Sequence, residues 1–365
     1  MRLVITEKNI AAKKIADLLA TGKAKTEKVY DTPIYRFQRE GEDWVAIGLK
    51  GHILEVDFVE NLKYSSNAGW HSVDDDGQLI TASLPDDLPK PPFKKRKPFM
   101  VDGVDLKAWK LGALPYLVFA PLRKLPTEKG IIRSMKNLVA KASSVIIATD
   151  FDREGELIGA DALSVVREAD STIPARRARY SAITKEEINH AFENLVELDT
   201  NLAQAGESRQ WIDLIWGAVL TRYLTIAKYA GFGSVRPSGR VQTPTLALIV
   251  EREKERLAFV PEDYWVIKAS FNADGERFEA THAKERFKSQ AAAEEVMAAV
   301  EGSTLGTVSA VEKKSRKVVP PTPFNTTSLQ AAAAAEGLAP ARTMRIAESL
   351  YMNGYISYPR VDNTV

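Results

Sequence analysis

Ser144-Val145-Ile146-Ile147-Ala148-Thr149 is an unbroken apolar run that stops at Asp150-Phe151-Asp152-Arg153-Glu154-Gly155-Glu156, after which a helical pattern resumes through Leu157, Ile158, Leu163 and Val166. Continuous rather than alternating apolarity predicts a strand covered on both faces, as in a parallel sheet flanked by helices. The N-terminus repeats the plan: Leu3-Val4-Ile5, the polar turn Thr6-Glu7-Lys8-Asn9, then Ile10, Ile15, Leu18 and Leu19 at helical spacing. Two strand-turn-helix units predict an α/β domain, in which sites gather outside the carboxyl ends of the strands. Both acidic turns lie at such ends.

Three carboxylates at Asp150, Asp152 and Glu154 supply the hard oxygens that Mg²⁺ selects. The bland alternative is a solvated helix start, where acids are favoured in any case. A buried strand favours the metal, because an acidic cluster at its end is costly without a cation. Glu7 and Lys8 alone read as an exposed turn. If the two strands lie side by side, however, Glu7 stands beside the acidic cluster, where like charge raises its pKa and lets it hold a proton for general acid work. Near the other end, Gly354-Tyr355-Ile356-Ser357-Tyr358-Pro359-Arg360-Val361-Asp362 sets a tyrosine two residues before an arginine. A tyrosine hydroxyl can attack a phosphodiester, and a guanidinium can stabilise the charge on its oxygens. The alternative is a half-buried strand with aromatic packing.

Elsewhere, Trp44 to Leu49 alternates, and Lys90 to Pro98 reads as an exposed basic loop. From about Ile183 to Leu257 the periodicity is helical, broken at Gly231-Phe232-Gly233. A β-type segment follows at Tyr264 to Phe271 with a turn at Asn272-Ala273-Asp274-Gly275. Lys313 to Lys317 and the prolines at 320, 321 and 323 read as a linker, and two helices follow, Leu329 to Glu336 and Ala341 to Met352. The 365 residues carry 50 Lys+Arg against 48 Asp+Glu, a net charge of +2. That balance suits an intracellular globular chain of two or three domains and hides local basic stretches at 94 to 97, 176 to 179 and 313 to 317. With no cysteine and four histidines, disulfide frameworks, thiol catalysis and cysteine-bearing zinc modules are excluded. The N-terminus lacks a signal peptide's apolar core, and Trp211 to Gly231 contains Asp213, Arg222 and Lys228, a poor membrane span and a good amphipathic helix. A cytoplasmic location, nucleoid-associated in a prokaryote, and no membrane contact are expected.

Asp150-Phe151-Asp152-Arg153-Glu154-Gly155-Glu156 after an apolar strand, with Glu7, resembles the Toprim metal site. Four further blocks resemble type IA DNA topoisomerases in the same order: Gly51-His52-Ile53; Ser238-Gly239-Arg240-Val241-Gln242-Thr243-Pro244; Pro323-Phe324-Asn325-Thr326 with Leu329-Gln330; and Thr343-Met344 through Leu350-Tyr351 to Tyr358-Pro359-Arg360. The Gln-Thr-Pro-Thr-Leu and Tyr-Pro-Arg forms are closer to the topoisomerase III and archaeal branch. The resemblance implies a multidomain chain, α/β with separate α and β parts. These are a Toprim domain over 1–165 with an insertion at about 56–125, a helical DNA-binding domain over 166–256, an incomplete β-rich arch over 257–318, and the incomplete start of a tyrosine-bearing helical domain over 319–365.

The resemblance also implies roles. Tyr358 matches the nucleophile that keeps the 5′-phosphate, Arg360 the residue that steadies the phosphate and phenolate, and Glu7 the acid that protonates the leaving 3′-oxygen. Lys8 stands where the topoisomerase III branch has a phosphate-contacting lysine. Asp150, Asp152, Glu154 and Glu7 match Mg²⁺ ligands. Arg209 and Asp213 match a strand-binding surface with Gly239, Arg240 and Gln242, joined by His52 and Arg153; Arg209 and Asp213 are also four apart and could pair on one helix. A tyrosine of pKa ~10 is a poor nucleophile at neutral pH, so cationic surroundings from Lys8, Arg360 and the metal are expected. The implied activity is cleavage of one DNA strand, passage of another and religation, which relaxes negative supercoils. No ATP is expected, in keeping with the lack of a Walker-type loop, nor is zinc. The expected partners are single-stranded or negatively supercoiled DNA, with a helicase as a further candidate, and the chain is expected to be a monomer. The runner-up is a fragment that binds single-stranded DNA without strand passage, and a Toprim nuclease or primase would leave the tyrosine block unexplained. Family members have Thr and Ser where this chain has Val361 and Asn363, and they continue well past the tyrosine, so an N-terminal portion is expected.

Overall fold

The computed structural model describes residues 1–58, 63–65, 69–73, 79–82, 100–101, 104–105, 109–120, 122–229 and 235–362. The basic loop at 90–98, the glycines at 231 and 233, and Asn363 lie outside the described residues. The chain forms two compact units, residues 1–242 with 322–365, and residues 243–321.

The first unit is built on strands β1 (Arg2–Thr6), β2 (Lys25–Val29), β3 (Thr32–Arg39) and β4 (Glu42–Gly48), with helix α1 (Asn9–Leu19) after β1. Next come β5 (Leu54–Phe58), β6 (Lys63–Ser65), β7 (Gly69–Val73), β8 (Leu79–Ala82), β9 (Met100–Val101), β10 (Val104–Asp105), α2 (Leu114–Val118) and β11 (Leu122–Pro126). They are followed by α3 (Lys129–Val139), β12 (Ser144–Ile147), α4 (Arg153–Ala169), β13 (Ala175–Arg177), α5 (Lys185–Glu193) and α6 (Thr200–Tyr229). A six-stranded sheet has the order β13-β12-β1-β4-β3-β2, with β13, β12, β1 and β4 parallel. The expected adjacency is present: Arg2 to Ile5 lie in register with Ser144 to Ile147.

Strand alternation divides the core. Leu3, Ile5, Val45, Ile47, Val145 and Ile147 pack under α3 and α4, whereas Val4, Ala46, Ile146 and Ala148 pack under α1 and α5 on the other face. The segment Trp44 to Leu49 is therefore buried on both faces. Its alternation marks two cores, since β4 is an interior strand beside β1. Tyr351 and Tyr358 belong to the second core, brought there by α10 (Pro340–Met352), which follows α9 (Thr326–Ala335).

In the second unit, α7 (Gln242–Ala258), which begins at the boundary, precedes the hairpin β14 (Lys268–Ala273) and β15 (Glu276–Thr281), followed by α8 (Gln290–Ala299). The hairpin turns at Asp274 and Gly275, both at positive φ. Trp265, expected inside the strand, makes an isolated bridge with Phe287 instead. Among the described residues no helix is long and apolar enough to cross a membrane.

Candidate active site

Parallel pairing of β1 and β12 delivers the turns after both strands to one edge of the sheet. The second turn is tightly built. Asp152 caps α4, its Oδ1 accepting from the Gly155 N–H at 2.6 Å, and a Cβ on Gly155 would stand 2.1 Å from the Asp150 carbonyl oxygen. Arg177 is wholly buried and donates to the carbonyls of Thr149 (2.9 Å) and Asp150 (3.0 Å) and to the Glu156 carboxylate (2.9 Å). Glu156 also accepts from the Asp199 N–H at 2.8 Å. This buried ion pair fixes the backbone that carries the acids.

Tyr358 reaches that turn from the segment that follows α10. Its N–H donates to the Ser181 carbonyl at 2.8 Å, and its hydroxyl donates to Asp152 Oδ2 at 2.5 Å. Tyr351 meets Tyr358 edge-on, with ring centroids 5.2 Å apart, and its hydroxyl donates to Asp150 Oδ1 at 3.1 Å. The stretch after Tyr358 is pinned by Thr326, whose hydroxyl contacts the carbonyls of Pro359 (2.8 Å) and Val361 (3.0 Å) and accepts from the Val361 N–H (2.9 Å). A hydroxyl from α9 thus holds the backbone on both sides of Arg360.

Lys8 Nζ lies 3.7 Å from Glu7 and 4.0 Å from Asp150 and is hydrogen-bonded to Glu348 of α10. Burial pushes the Glu7 carboxyl up to about 7, helped by Asp150 and Asp152 and opposed by Lys8. Asp150 is raised, by burial first, against the lowering effects of Lys8 and the Tyr351 hydroxyl. Tyr358 is also driven above the usual tyrosine range, by burial and then by Asp152 and Asp150. Sequence reasoning expected cations to ease ionisation of Tyr358; in the metal-free chain the carboxylates of Asp152 and Asp150 stand nearest its hydroxyl and oppose that ionisation.

Glu154 faces elsewhere. It pairs with His52 Nε2 at 3.2 Å and Arg209 at 3.1 Å. Helix α4 has begun at Arg153, so side chains turn about 100° per residue and the strand-like alternation of Asp150, Asp152 and Glu154 ends there. His52 also faces the buried Asp161, which Lys124 ties to Glu207 of α6. The His52 pKa is raised, chiefly by Asp161.

A cleft of about 880 Å³ opens beside Tyr358, lined by Asp152, Arg153, Glu154, Arg209 and Arg360 among others. Arg360 is exposed and, among the described residues, forms no ion pair. Along α6, Asp213 pairs with Arg240 at 2.8 Å, not with Arg209. The segment carrying Arg240 is docked on α6 by Thr221 and Thr225, which accept from the N–H groups of Ser238 and Arg236. Gly239 and Gln242 are adjacent.

The Toprim domain matches residues 2–183 and the DNA topoisomerase domain matches 197–365. The chain belongs to the type IA DNA topoisomerases. DNA topoisomerase 1 of Thermoplasma acidophilum is 36% identical over 364 residues, which is 100% of this chain and 41% of that protein. That of Archaeoglobus fulgidus is 39% identical, covering 100% of this chain and 46% of that protein. The full-length topoisomerase I structure from Thermotoga maritima aligns at a TM-score of 0.61 and 25% identity over 99% of this chain and 49% of that one. The topoisomerase chain therefore spans less than half the length of these relatives.

The Toprim fold binds Mg²⁺, and the residues here suit it by chemistry. Glu7, Asp150 and Asp152 are hard donors whose charges repel one another, and the Lys8 ammonium stands between two of them as a cation. No group of three His, Asp or Glu side chains among the described residues closes on one point, and Glu154 is engaged by His52 and Arg209. Sequence reasoning assigned no role to Tyr351, Glu348, Arg177, Glu156 or Thr326 of this topoisomerase. Glu156 carried a signal: an acid in the apolar run before Leu157 and Ile158 needs a buried partner.

Proposed function

We propose that this chain carries the cleavage and religation chemistry of a type IA DNA topoisomerase, acting on single-stranded DNA with Mg²⁺ and without ATP. The observation that carries the reading is Tyr358, bonded to Asp152 at the wall of a cleft lined by Arg153, Arg209 and Arg360. The arginines hold the strand's phosphates, and exposed Phe151 and Phe324, which line the same cleft, offer faces for base stacking. The Tyr358 oxygen attacks phosphorus, its proton passing to Asp152 Oδ2. The bond from phosphorus to the 3′-oxygen breaks, and that oxygen takes the proton held by Glu7, whose carboxyl is half-protonated near neutrality. The product is a 5′-phosphotyrosine ester, and attack by the 3′-hydroxyl reverses every step, which is why no ATP is consumed. Glu7, Asp150 and Asp152 would hold Mg²⁺, with Glu154 joining only on leaving Arg209. When bound, the ion would supply positive charge to offset that of the phosphoryl group.

Lys8 and Arg360 position the scissile phosphate, while Arg209, Asp213, Gly239, Arg240, Gln242 and His52 follow the strand along α6. The domain division 1–165, 166–256, 257–318 and 319–365, action as a monomer in the cytoplasm, relaxation of negative supercoils and cooperation with a helicase belong to the same proposal. Incubation with a labelled single-stranded oligonucleotide and Mg²⁺, followed by denaturation, gives a protein-linked 5′ end that Tyr358→Phe abolishes. Retention of the oligonucleotide without that link favours a single-strand-binding chain. Relaxation of negatively supercoiled plasmid without ATP tests strand passage separately.

A further inference from the structure

Tyr351 and Tyr358 are both buried tyrosines on one short segment, yet they differ in access. Tyr358 lines the cleft, whereas Tyr351 is 0% exposed and is absent from its walls. Tyr351 cannot meet a phosphate; what it meets is Asp150 and the ring of Tyr358. We infer that Tyr351 is a positioning residue, whose hydroxyl aims the Asp150 carboxylate and whose ring sets the Tyr358 ring, so that metal ligand and nucleophile are ordered by one side chain.

Asp150 is 4% exposed, so solvent does not orient it. Its backbone oxygen is fixed by Arg177, and Oδ1 accepts from Tyr351 while Oδ2 lies 4.0 Å from Lys8 Nζ. The Tyr351 hydroxyl is the donor in this contact and the carboxylate the acceptor. The segment that follows is anchored at both ends. Gly354, at φ 76°, closes the α10 terminus against the Ile183 carbonyl, and the Tyr358 N–H holds the Ser181 carbonyl. Within that frame the Tyr351 ring is the edge against which Tyr358 rests. A second buried tyrosine offers an internal control: Tyr180 donates to the Ala148 carbonyl at 2.8 Å, at the same strand end, and bonds no carboxylate.

This inference rests on the reading of Asp150 as a metal ligand and of Tyr358 as the nucleophile. Its test uses the whole 365-residue chain with Mn²⁺ as the probe ion. Tyr351→Phe keeps the ring and removes the donor, so Mn²⁺ affinity by calorimetry falls about tenfold, the usual scale for losing a hydrogen-bond partner of a metal ligand. Adduct formation slows at saturating oligonucleotide, while oligonucleotide affinity is unchanged. Tyr180→Phe lowers the melting temperature and leaves Mn²⁺ affinity as in the wild type. Equal Mn²⁺ affinity in Tyr351→Phe and wild type overturns the inference, as does an equal loss in Tyr180→Phe. A wild type that forms the Tyr358 adduct while Tyr351→Phe is unaltered sinks this inference alone; a wild type with neither Mn²⁺ binding nor adduct sinks the functional reading with it.

Discussion

The turn after β12 has two sides with different company. Asp150, buried beside Lys8, and Asp152, at the cleft wall, meet tyrosine hydroxyls, whereas Glu154, two residues on, meets His52 and Arg209 of α6. The side toward the tyrosines is short of positive charge, and burial raises the carboxyls of Glu7 and Asp150 there; on the other, Glu154 already meets cations. On the proposed function, chemistry belongs to the first side and strand alignment to the second. Tyr358→Phe should therefore remove the covalent adduct altogether while oligonucleotide binding persists. Arg209→Gln should do the reverse, weakening binding severalfold with the adduct still formed at saturating oligonucleotide. Gel retardation beside adduct detection on one set of variants would show no such division of labour if both substitutions acted alike.

Arg177 underlies both sides, because it fixes the carbonyls of Thr149 and Asp150 and pairs with Glu156 in a wholly buried contact. Replacing it with Met leaves the Glu156 charge buried with only the Asp199 N–H and Arg179 near its other oxygen. Loss of one partner of a buried pair costs on the order of 3–5 kcal/mol. Urea unfolding of Arg177→Met should show that loss, with adduct and binding declining together.

The titration of Glu7 sharpens the first side. Its folded pKa, about 7, stands above the ordinary 4.5, so the folded metal-free chain binds this proton more tightly than the unfolded chain. Stability from that proton is fully present below about pH 4.5 and is lost as pH rises through 7. The loss is on the order of 3 kcal/mol at most. Without divalent ions the melting temperature should fall between pH 5 and pH 8 more steeply in wild type than in Glu7→Gln, and Mg²⁺ should restore it at pH 8. A Glu7→Gln curve parallel to wild type would show that Glu7 ionises unopposed.

Much of the fold was legible. The runs at 3–5 and 144–149 foretold adjacent parallel strands, because continuous apolarity has no other cheap burial, and that pairing brought Glu7 to Asp150 as reasoned. The site was legible in membership but not in orientation. Glu154 read as a third carboxylate of one cluster, and only the start of α4 at Arg153 turns it away. Nothing local announces that Tyr351 and Tyr358 dock on acids some 200 residues earlier in the chain, since docking of α10 depends on the shape of the second core. The carboxylates that meet the Tyr358 hydroxyl were therefore not legible from its own stretch of sequence.

The smallest effect expected lies along α6. Asp213 and Arg240 form an exposed pair that lowers the Asp213 pKa through the Arg240 hydrogen bond. Exposed pairs add little stability, so neither Asp213→Asn nor Arg240→Gln should move the melting temperature measurably. Binding should separate them. If Arg240 meets a phosphate, Arg240→Gln reduces the salt slope of single-strand affinity by about 0.7, one contact's worth. Asp213→Asn frees that guanidinium and removes a repelling charge, so affinity rises at low salt. The two effects must depend on each other: in the double variant the gain from Asp213→Asn shrinks to what one removed negative charge supplies. Equal gains with and without Arg240 would mean that the pair is only a brace between α6 and the segment docked on it, and the strand-binding side would then end at Arg209.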